Sequence, residues 1–322
     1  MERLVTLFGG DGFLGRYVVQ ELVKARVRIR IASRDPRSDF FLRPLAALGQ
    51  MHSVRADITD PGSVARAVAG AHAVVNFVGL LKGAFDAVHV DGARNVAAAT
   101  AQAGARALVH VSAIGADPDS PSAYGRSKGE GEAAVRAAFP DATIVRPSIL
   151  FGRDDQFLGR FAKLARIAPV LPVVRPDARF QPAFVADVAK AIAAAVLDPR
   201  AHAGRTYELG GPEVMTMREV NEYVTRTAGR PRPLLDVPDA ISGLMAKATG
   251  WLPGAPITHD QWLMLGTPNV VAEGAHGFAA FGISPTPLAA VAEPWLVPYR
   301  RHGRFAPVPR NQPVAPNENA RA

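Results

Sequence analysis

The sequence predicts an α/β fold: a doubly wound parallel sheet with a smaller C-terminal domain beside it. β-branched runs alternate with alanine-rich helical patterns over the first 115 residues. A glycine cluster follows the first of those runs directly and opens the first helical pattern. Beyond about Arg205 the alternation gives way to a proline-punctuated stretch, the mark of a different unit.

Taken in order, RLVTLF reads as a strand, FLGRYVVQELVKA as a helix and VRIRIA as a strand. SVARAVAG, AVVNFVG, ARNVAAATAQAG and ALVHVSA continue the helix and strand alternation. TIVRPSILFG adds a strand and VADVAKAIAAAVLD a helix. TYELGG then begins the changed pattern, followed by a helix in MTMREVNEYVTRTAG and the stretch RPRPLLDVPDAISGLMAKATGWLPGAPIT. The expected division is a dinucleotide-binding domain over 1–205, a smaller domain over 206–301 and a flexible, basic, proline-rich tail over 302–322. No internal repeat is visible.

Composition narrows the chemistry. With 322 residues of which 48% are hydrophobic, the chain can bury a large core. No apolar run approaches the roughly 18–20 residues that a membrane span needs, and the strand RLVTLF begins without a charged leader and long apolar stretch. A cytosolic or cytosol-facing protein is expected. Zero cysteines exclude disulfides, thiolate catalysis and iron–sulfur ligation, so any redox chemistry belongs to a bound cofactor. The 8 histidines lack metal-ligand spacing, and no metal is expected. Lys+Arg 37 against Asp+Glu 29 gives +8, much of it in YRRHGRFAPVPRNQPVAPNENARA. That excess reads as a solvated basic tail or suits an anionic partner: a membrane surface, an acidic protein face or nucleotide phosphates. It lacks the interleaved aromatics of a nucleic-acid stripe, so no nucleic acid is expected.

FGGDGFLGRY carries two overlapping fingerprints, with Gly9, Gly12 and Gly15 or Gly10, Gly12 and Gly15 as the glycines. Either way the glycines make a tight turn, let backbone N–H groups approach a pyrophosphate and aim a helix N-terminus at it. The sheet is therefore expected to be of the Rossmann type. The second strand ends IASRDPR, where Ser33, Arg34 and Arg37 offer donors to a 2′-phosphate and favour NADP(H). Asp35, before Pro36, reads as the start of a turn. Asp11 argues for NAD(H), the alternative, if its carboxylate meets the adenosine ribose; it also reads as a helix N-cap.

With GGDGFLG, RADITD, NFVG, HVDGARNV, HVSAIGAD, YGRSKGEGE, RPSILFG and FVADVAKAI, the chain resembles the extended and atypical short-chain dehydrogenase/reductase superfamily. The resemblance implies that Phe13 and Leu14 join the glycine loop, that Asp57 and Ile58 contact adenine, and that Val78 and Gly79 lie along the middle of the cofactor. It further implies Tyr124 and Lys128 at the nicotinamide ribose, with Ser112 and Pro147 completing the set. Tyr124 and Lys128, at i and i+4, share a helix face. In working members the lysine lowers the tyrosine pKa so that the phenol can move a proton, and Ser112 orients. Ile114, however, stands where extended members usually carry a second hydroxyl, which removes a transition-state hydrogen bond. His89 replaces a common asparagine.

FGGDGFLGRYVVQEL, FDAVHVDGARNVA, VSAIGADPDSPSAYGRSKGEGEAAV, AFPDATIVRPSILFG and RFQPAFVADVA are more narrowly similar to the nucleotide-binding accessory subunits of respiratory complex I, the NADH:ubiquinone oxidoreductase. YELGGPEVMTMRE, PITHDQWLML and NVV extend the likeness. This implies tightly held NADP(H) without turnover, other complex I subunits as partners, and a peripheral position. That position is the cytoplasmic side of a bacterial inner membrane, or the matrix side if mitochondrial, with anionic lipid as a further contact. An NADP-dependent reductase or epimerase using Tyr124, Lys128 and Ser112 is the alternative, and an NADPH-sensing regulator a third. Asp154 and Asp155 read as a solvated loop. Arg175 and Arg179 resemble substrate-phosphate ligands of related enzymes or surface ion pairs. Met245, Lys247, Trp251 and Leu252 read as core packing or as a partner or membrane contact.

Overall fold

The structure, a computed structural model, describes residues 3–250, 257–301 and 303–305. Trp251, Leu252 and nearly all of the 302–322 tail lie outside the described residues. β1 (Leu4–Phe8), β2 (Arg28–Ser33), β3 (Met51–Arg55), β4 (Ala73–Asn76), β5 (Ala107–Val111), β6 (Thr143–Pro147) and the strand Thr206–Leu209 form a seven-stranded sheet. Its order is Thr206–Leu209, β6, β5, β4, β1, β2, β3, with every pairing parallel. The chain order reverses between β1 and β4, which opens a crevice beyond the carboxyl ends of those strands.

Helices cover both faces, as an all-parallel sheet requires. α1 (Phe13–Lys24) and, much later, α6 (Val185–Leu197) cover one face, where Val18, Val19, Leu22, Val188 and Ile192 meet Leu7, Ile29, Ile31 and Val75. The other face takes α2 (Pro61–Val68), α3 (Ala93–Gln102) and α4 (Ala123–Ala138), where Val64, Val96 and Val135 meet Phe8, Val74, Leu108 and Ile144. Alternate residues of one strand thus feed opposite cores, the period-2 consequence of the pleat.

The division at 205 does not survive in space. Thr206–Leu209, expected in the smaller domain, is the edge strand of the main sheet, in register with Ile144–Pro147. Conversely α5 (Phe157–Ile167), expected in the first domain, packs Leu158 and Ala162 against Val220 and Val224 of the helix Met217–Thr227 and against Leu288 and Leu296. Leu171–Val174 likewise pairs with Leu234–Val237. The second lobe is interleaved because the apolar face of α5, besides meeting Phe151 and Phe184, packs against residues beyond 205. TIVRPSILFG also breaks into two strands, Thr143–Pro147 and Leu150–Phe151, at Ser148. Arg146 ties the layers together: it is bidentate to Glu132 of α4 at 2.9 and 2.7 Å and reaches Glu208 of the edge strand at 3.3 Å.

α1 meets β1 by backbone contact. A Cβ on Gly15 would stand 2.5 Å from the Gly9 carbonyl oxygen and 2.7 Å from Gly10 Cα, so the helix could not start where it does with any side chain there. Gly15→Ala is expected to destabilise the fold by about 1–3 kcal/mol and to weaken dinucleotide binding. Urea unfolding and a nucleotide titration on the same sample check both; wild-type values in each would contradict the backbone-contact account.

Candidate dinucleotide-binding site

The glycine loop lies at the switch point. Gly9, at φ +74°, donates its N–H to the Ala32 carbonyl at 3.1 Å, tying the turn to β2, and its carbonyl accepts from Gly12 N–H at 3.0 Å. Gly12 is the N-cap of α1 and makes no side-chain cap, and no acidic residue stands in the first turn. The positive end of the helix macrodipole therefore faces the crevice without a carboxylate of its own. Phe13 and Leu14 occupy that turn, and Val78 Cγ2 closes on Gly9 from the opposite side. The backbone cradle fits a pyrophosphate: added Cβ atoms at Gly12 and Gly15 would meet the Gly9 carbonyl.

At the end of β2, Asp11 does not cap α1. Its carboxylate accepts from Ser38 Oγ at 2.5 Å, because residues 35–38 turn back toward the loop. Asp35 starts that turn as expected, its carbonyl accepting from Ser38 N–H at 3.0 Å and from Ser33 Oγ at 2.9 Å. Arg37 is held by the Asp35 carboxylate through Nε at 3.0 Å, an exposed pair that keeps the carboxyl below its usual range. Arg34 is exposed beside this turn. Asp57 accepts from Thr59 N–H at 2.9 Å and from its hydroxyl at 2.7 Å, which lowers its pKa. Ile58 is buried and its carbonyl takes Asn95 Nδ2 at 2.9 Å.

The far half of the crevice is built around α4. Lys128, 4% exposed, donates to the Val111 carbonyl at 2.9 Å, and burial pulls its pKa down to about 8. A Cβ on Gly79 would stand 3.8 Å from Lys128 Nζ and 3.6 Å from His89 Nε2, so the strand end carrying Val78 and Gly79 faces the lysine. Tyr124 is half-buried, with its ring edge-on to Phe85 and His89, and burial pushes its phenol up to about 12. Ser112 Oγ is buried and has no hydrogen-bond partner among the described residues. An orphaned hydroxyl at a strand end, next to a buried ammonium, suits a polar ligand. Pro147 ends β6 beside it, its carbonyl taking Ile114 N–H at 3.1 Å.

His89 lies on a π-helical turn, Asp86–Gly92, that leads into α3. Its Nε2 accepts from Leu80 N–H at 2.8 Å, which leaves Nδ1 to donate to Ser127 Oγ at 2.8 Å. Burial, then the nearby Lys128 charge, pulls its pKa down to about 4, so the ring is neutral. Its role is to hold Leu80 and α4 in place. His110, buried against Asn76, is pushed the same way by the same causes.

One region departs from the sequence reading and two fall on alternatives it left open. Asp154 is exposed, but Asp155 is not a solvated loop residue: its carboxylate accepts from Leu158 N–H at 2.6 Å and Gly152 N–H at 3.2 Å, and burial raises its pKa. Arg175 and Arg179 line a cleft of about 580 Å³ in the second lobe. Arg175, however, lies 3.9 Å over the Trp262 ring and 3.4 Å from Asp239, whereas Arg179 is exposed. In the helix Asp239–Thr249 only Ser242 and Ala246 are buried; Ile241 and Leu244 are 59% and 70% exposed, Met245 is intermediate and Lys247 exposed. Ser242 and Ala246 pack inward, Ser242 accepting from Trp262 Nε1 at 3.1 Å, while Ile241 and Leu244 are left uncovered by the described residues.

Sequence reasoning missed two residues from the far end of the chain. Asn269 accepts from Ser148 Oγ at 2.7 Å and Ile149 N–H at 2.9 Å and donates to the Ile114 carbonyl at 3.2 Å. Asp260 accepts from Ala123 N–H at 2.6 Å and Tyr124 N–H at 3.2 Å. Neither stands in a local pattern that points to a residue more than a hundred positions away.

The NAD(P)H-binding family model matches residues 9–199. The chain is 32% identical over 316 residues to the mitochondrial NADH dehydrogenase [ubiquinone] 1 alpha subcomplex subunit 9 of Arabidopsis thaliana, covering 93% of this chain and 79% of that one. It is 39% identical over 197 residues to a ceramide reductase of Caulobacter vibrioides, 59% of this chain and 60% of the relative. An NADPH-dependent quinone oxidoreductase from Escherichia coli, solved with NADPH, superposes with a TM-score of 0.71 at 22% identity, over 89% of this chain and 97% of that one. That likeness shows the fold.

The neutral His89 makes a pH prediction. Its folded pKa, about 4, lies below the ordinary 6.5, so the unfolded chain binds more protons between those values. Stability is expected to be full above about pH 6.5 and to fall as the pH drops toward 4, with His110 adding in the same direction. Urea midpoints across that range check it, and His89→Gln should flatten the dependence.

Proposed function

The chain belongs to the NAD(P)H-binding family and to the family of the complex I alpha-subcomplex subunit 9, and from that premise we propose that it is an NADP(H)-holding accessory subunit of respiratory complex I. In this reading the dinucleotide is kept rather than turned over, and it stabilises the fold by binding only the folded state. The observation that carries it is a complete cradle combined with weak proton-transfer machinery. The cradle consists of the open α1 N-terminus, the Val78 and Gly79 strand end, the Ser112 hydroxyl, which has no partner among the described residues, and buried Lys128.

A bound nicotinamide supplies a hydride donor or acceptor. In this reading the Gly9–Gly15 loop takes the pyrophosphate, Asp57 and Ile58 the adenine, and Tyr124, Lys128, Ser112 and Pro147 the nicotinamide half. Against turnover stand the Tyr124 phenol, pushed up to about 12, and the Ile114 side chain where related enzymes use a hydroxyl. Arg34 and Arg37 with Ser33 favour the 2′-phosphate of NADP(H), Arg37 exchanging its Asp35 partner for it. Asp11, already hydrogen-bonded to Ser38, is satisfied without a ribose hydroxyl.

Among the described residues no helix is long and apolar enough to cross a membrane. The proposed position is therefore peripheral, on the cytoplasmic face of a bacterial inner membrane or the matrix face of a mitochondrial one. Ile241, Leu244 and Lys247 offer a face toward partner subunits or anionic lipid. The likeness to a ceramide reductase keeps an NADP-dependent reductase using Tyr124 and Lys128 as the second reading.

Protein purified from its source membrane is expected to release a 2′-phosphorylated dinucleotide on denaturation and to bring other complex I subunits with it. Arg34→Ala should weaken NADPH about tenfold more than NADH, a difference of about 1.4 kcal/mol. Tyr124→Phe should leave assembly with complex I intact. A nicotinamide-linked turnover abolished by Tyr124→Phe would favour the reductase instead.

A further inference from the structure

α4, which carries Tyr124 and Lys128, is intrinsically a weak helix. AYGRSKGEGEAAVRAA contains three glycines, among the poorest helix formers. Packing forbids replacing them: a Cβ on Gly129 would stand 2.4 Å from Pro118 N, and one on Gly131 2.1 Å from the His89 carbonyl. The helix therefore depends on its ends.

At its N-terminus each first-turn donor is met. Ser122, the N-cap, accepts from Gly125 N–H at 3.3 Å. The two donors before it are taken from outside the helix, Ala123 N–H by Asp260 Oδ1 at 2.6 Å and Tyr124 N–H by Asp260 Oδ2 at 3.2 Å. Ser122 Oγ also donates to Asp260 Oδ2 at 3.1 Å. Asp260 belongs to the short helix His259–Met264, whose own capping box, Thr258 with Gln261, fixes its first turn. A few residues on, Asn269 fastens the same segment to the Ile114 carbonyl and to Ser148, over the carboxyl ends of β5 and β6. An anion at a helix N-terminus is the favoured charge, and this one is delivered by a strap from the second lobe.

We propose that Asp260 is a positioning residue for the dinucleotide, setting the first turn of α4 and with it Tyr124, so that cofactor binding and docking of the 257–272 strap stabilise each other. This rests on the dinucleotide-holding reading above and deepens it. Linkage makes the coupling reciprocal: if the docked strap tightens the nucleotide, the nucleotide must tighten the strap by the same factor. A cofactor that is never turned over then has a task, since it locks the second lobe onto the sheet.

The test uses the full chain. NADPH is titrated by the fluorescence of the bound nicotinamide, and amide exchange of Ala123, Tyr124 and residues 258–265 is followed with and without saturating NADPH. Asp260→Ala is expected to bind NADPH at least tenfold more weakly, with Asp260→Asn between it and wild type. In wild type NADPH should slow exchange at those amides at least tenfold, and in Asp260→Ala it should slow them less. NADPH affinity of Asp260→Ala within twofold of wild type, or strap exchange in wild type unchanged by NADPH, overturns the proposal. Should Asp260→Ala fail to fold, the wild-type exchange pair decides alone. If the wild-type chain does not bind NADPH, the dinucleotide-holding reading falls first, which separates that failure from failure of the coupling.

Discussion

The contact between the backbone of Gly15 and that of Gly9 and Gly10 sets the rest of the structure. It brings α1 directly onto the end of β1 and points the helix N-terminus along the crevice between β1 and β4. The elements that follow are placed from that line. Val78 closes on Gly9, Gly79 faces Lys128, and α6 returns much later in the chain to pack on α1. A side chain at Gly15 would move the helix away from β1, and the dinucleotide cradle would lose its floor.

The electrostatics of the far half of the site describe holding better than turnover. Lys128 is buried with the Val111 carbonyl as its hydrogen-bond acceptor, so a ribose hydroxyl is a natural further partner. Ser112 contributes a hydroxyl that has no hydrogen-bond partner among the described residues. Tyr124, by contrast, is surrounded by the rings of Phe85 and His89, and burial raises its pKa away from the range in which a phenol exchanges protons readily. The same burial keeps His89 neutral, and the Leu80 N–H donated to Nε2 puts its proton on Nδ1, so the ring braces the Leu80 backbone against α4.

The second lobe is not an appendage that follows the first. It takes α5 from the middle of the chain and gives back the edge strand Thr206–Leu209, while Asp260 and Asn269 reach over the sheet to the turns that carry the site. Cofactor crevice and second lobe are thereby joined through backbone donors and acceptors.

The sequence alone carried the sheet, the glycine loop, the alternation of strands and helices through β5 apart from β3, and the family, because each rests on short-range patterns: apolar periodicity, glycine spacing, and motifs that follow a strand directly. It also put Tyr124 and Lys128 on one helix, where α4 carries them. Where a side chain has a choice of partners, sequence was silent or mistaken. Asp11 chose Ser38 over the cap of α1, and Asp155 folded back onto Leu158 instead of facing water. The domain boundary was misplaced because α5 buries its apolar face against residues far along the chain, and no local pattern encodes a partner's distance. Tertiary structure decided those matters, and with them the capping of α4 by Asp260. Satisfying a buried backbone donor is a question of what arrives next to it in space.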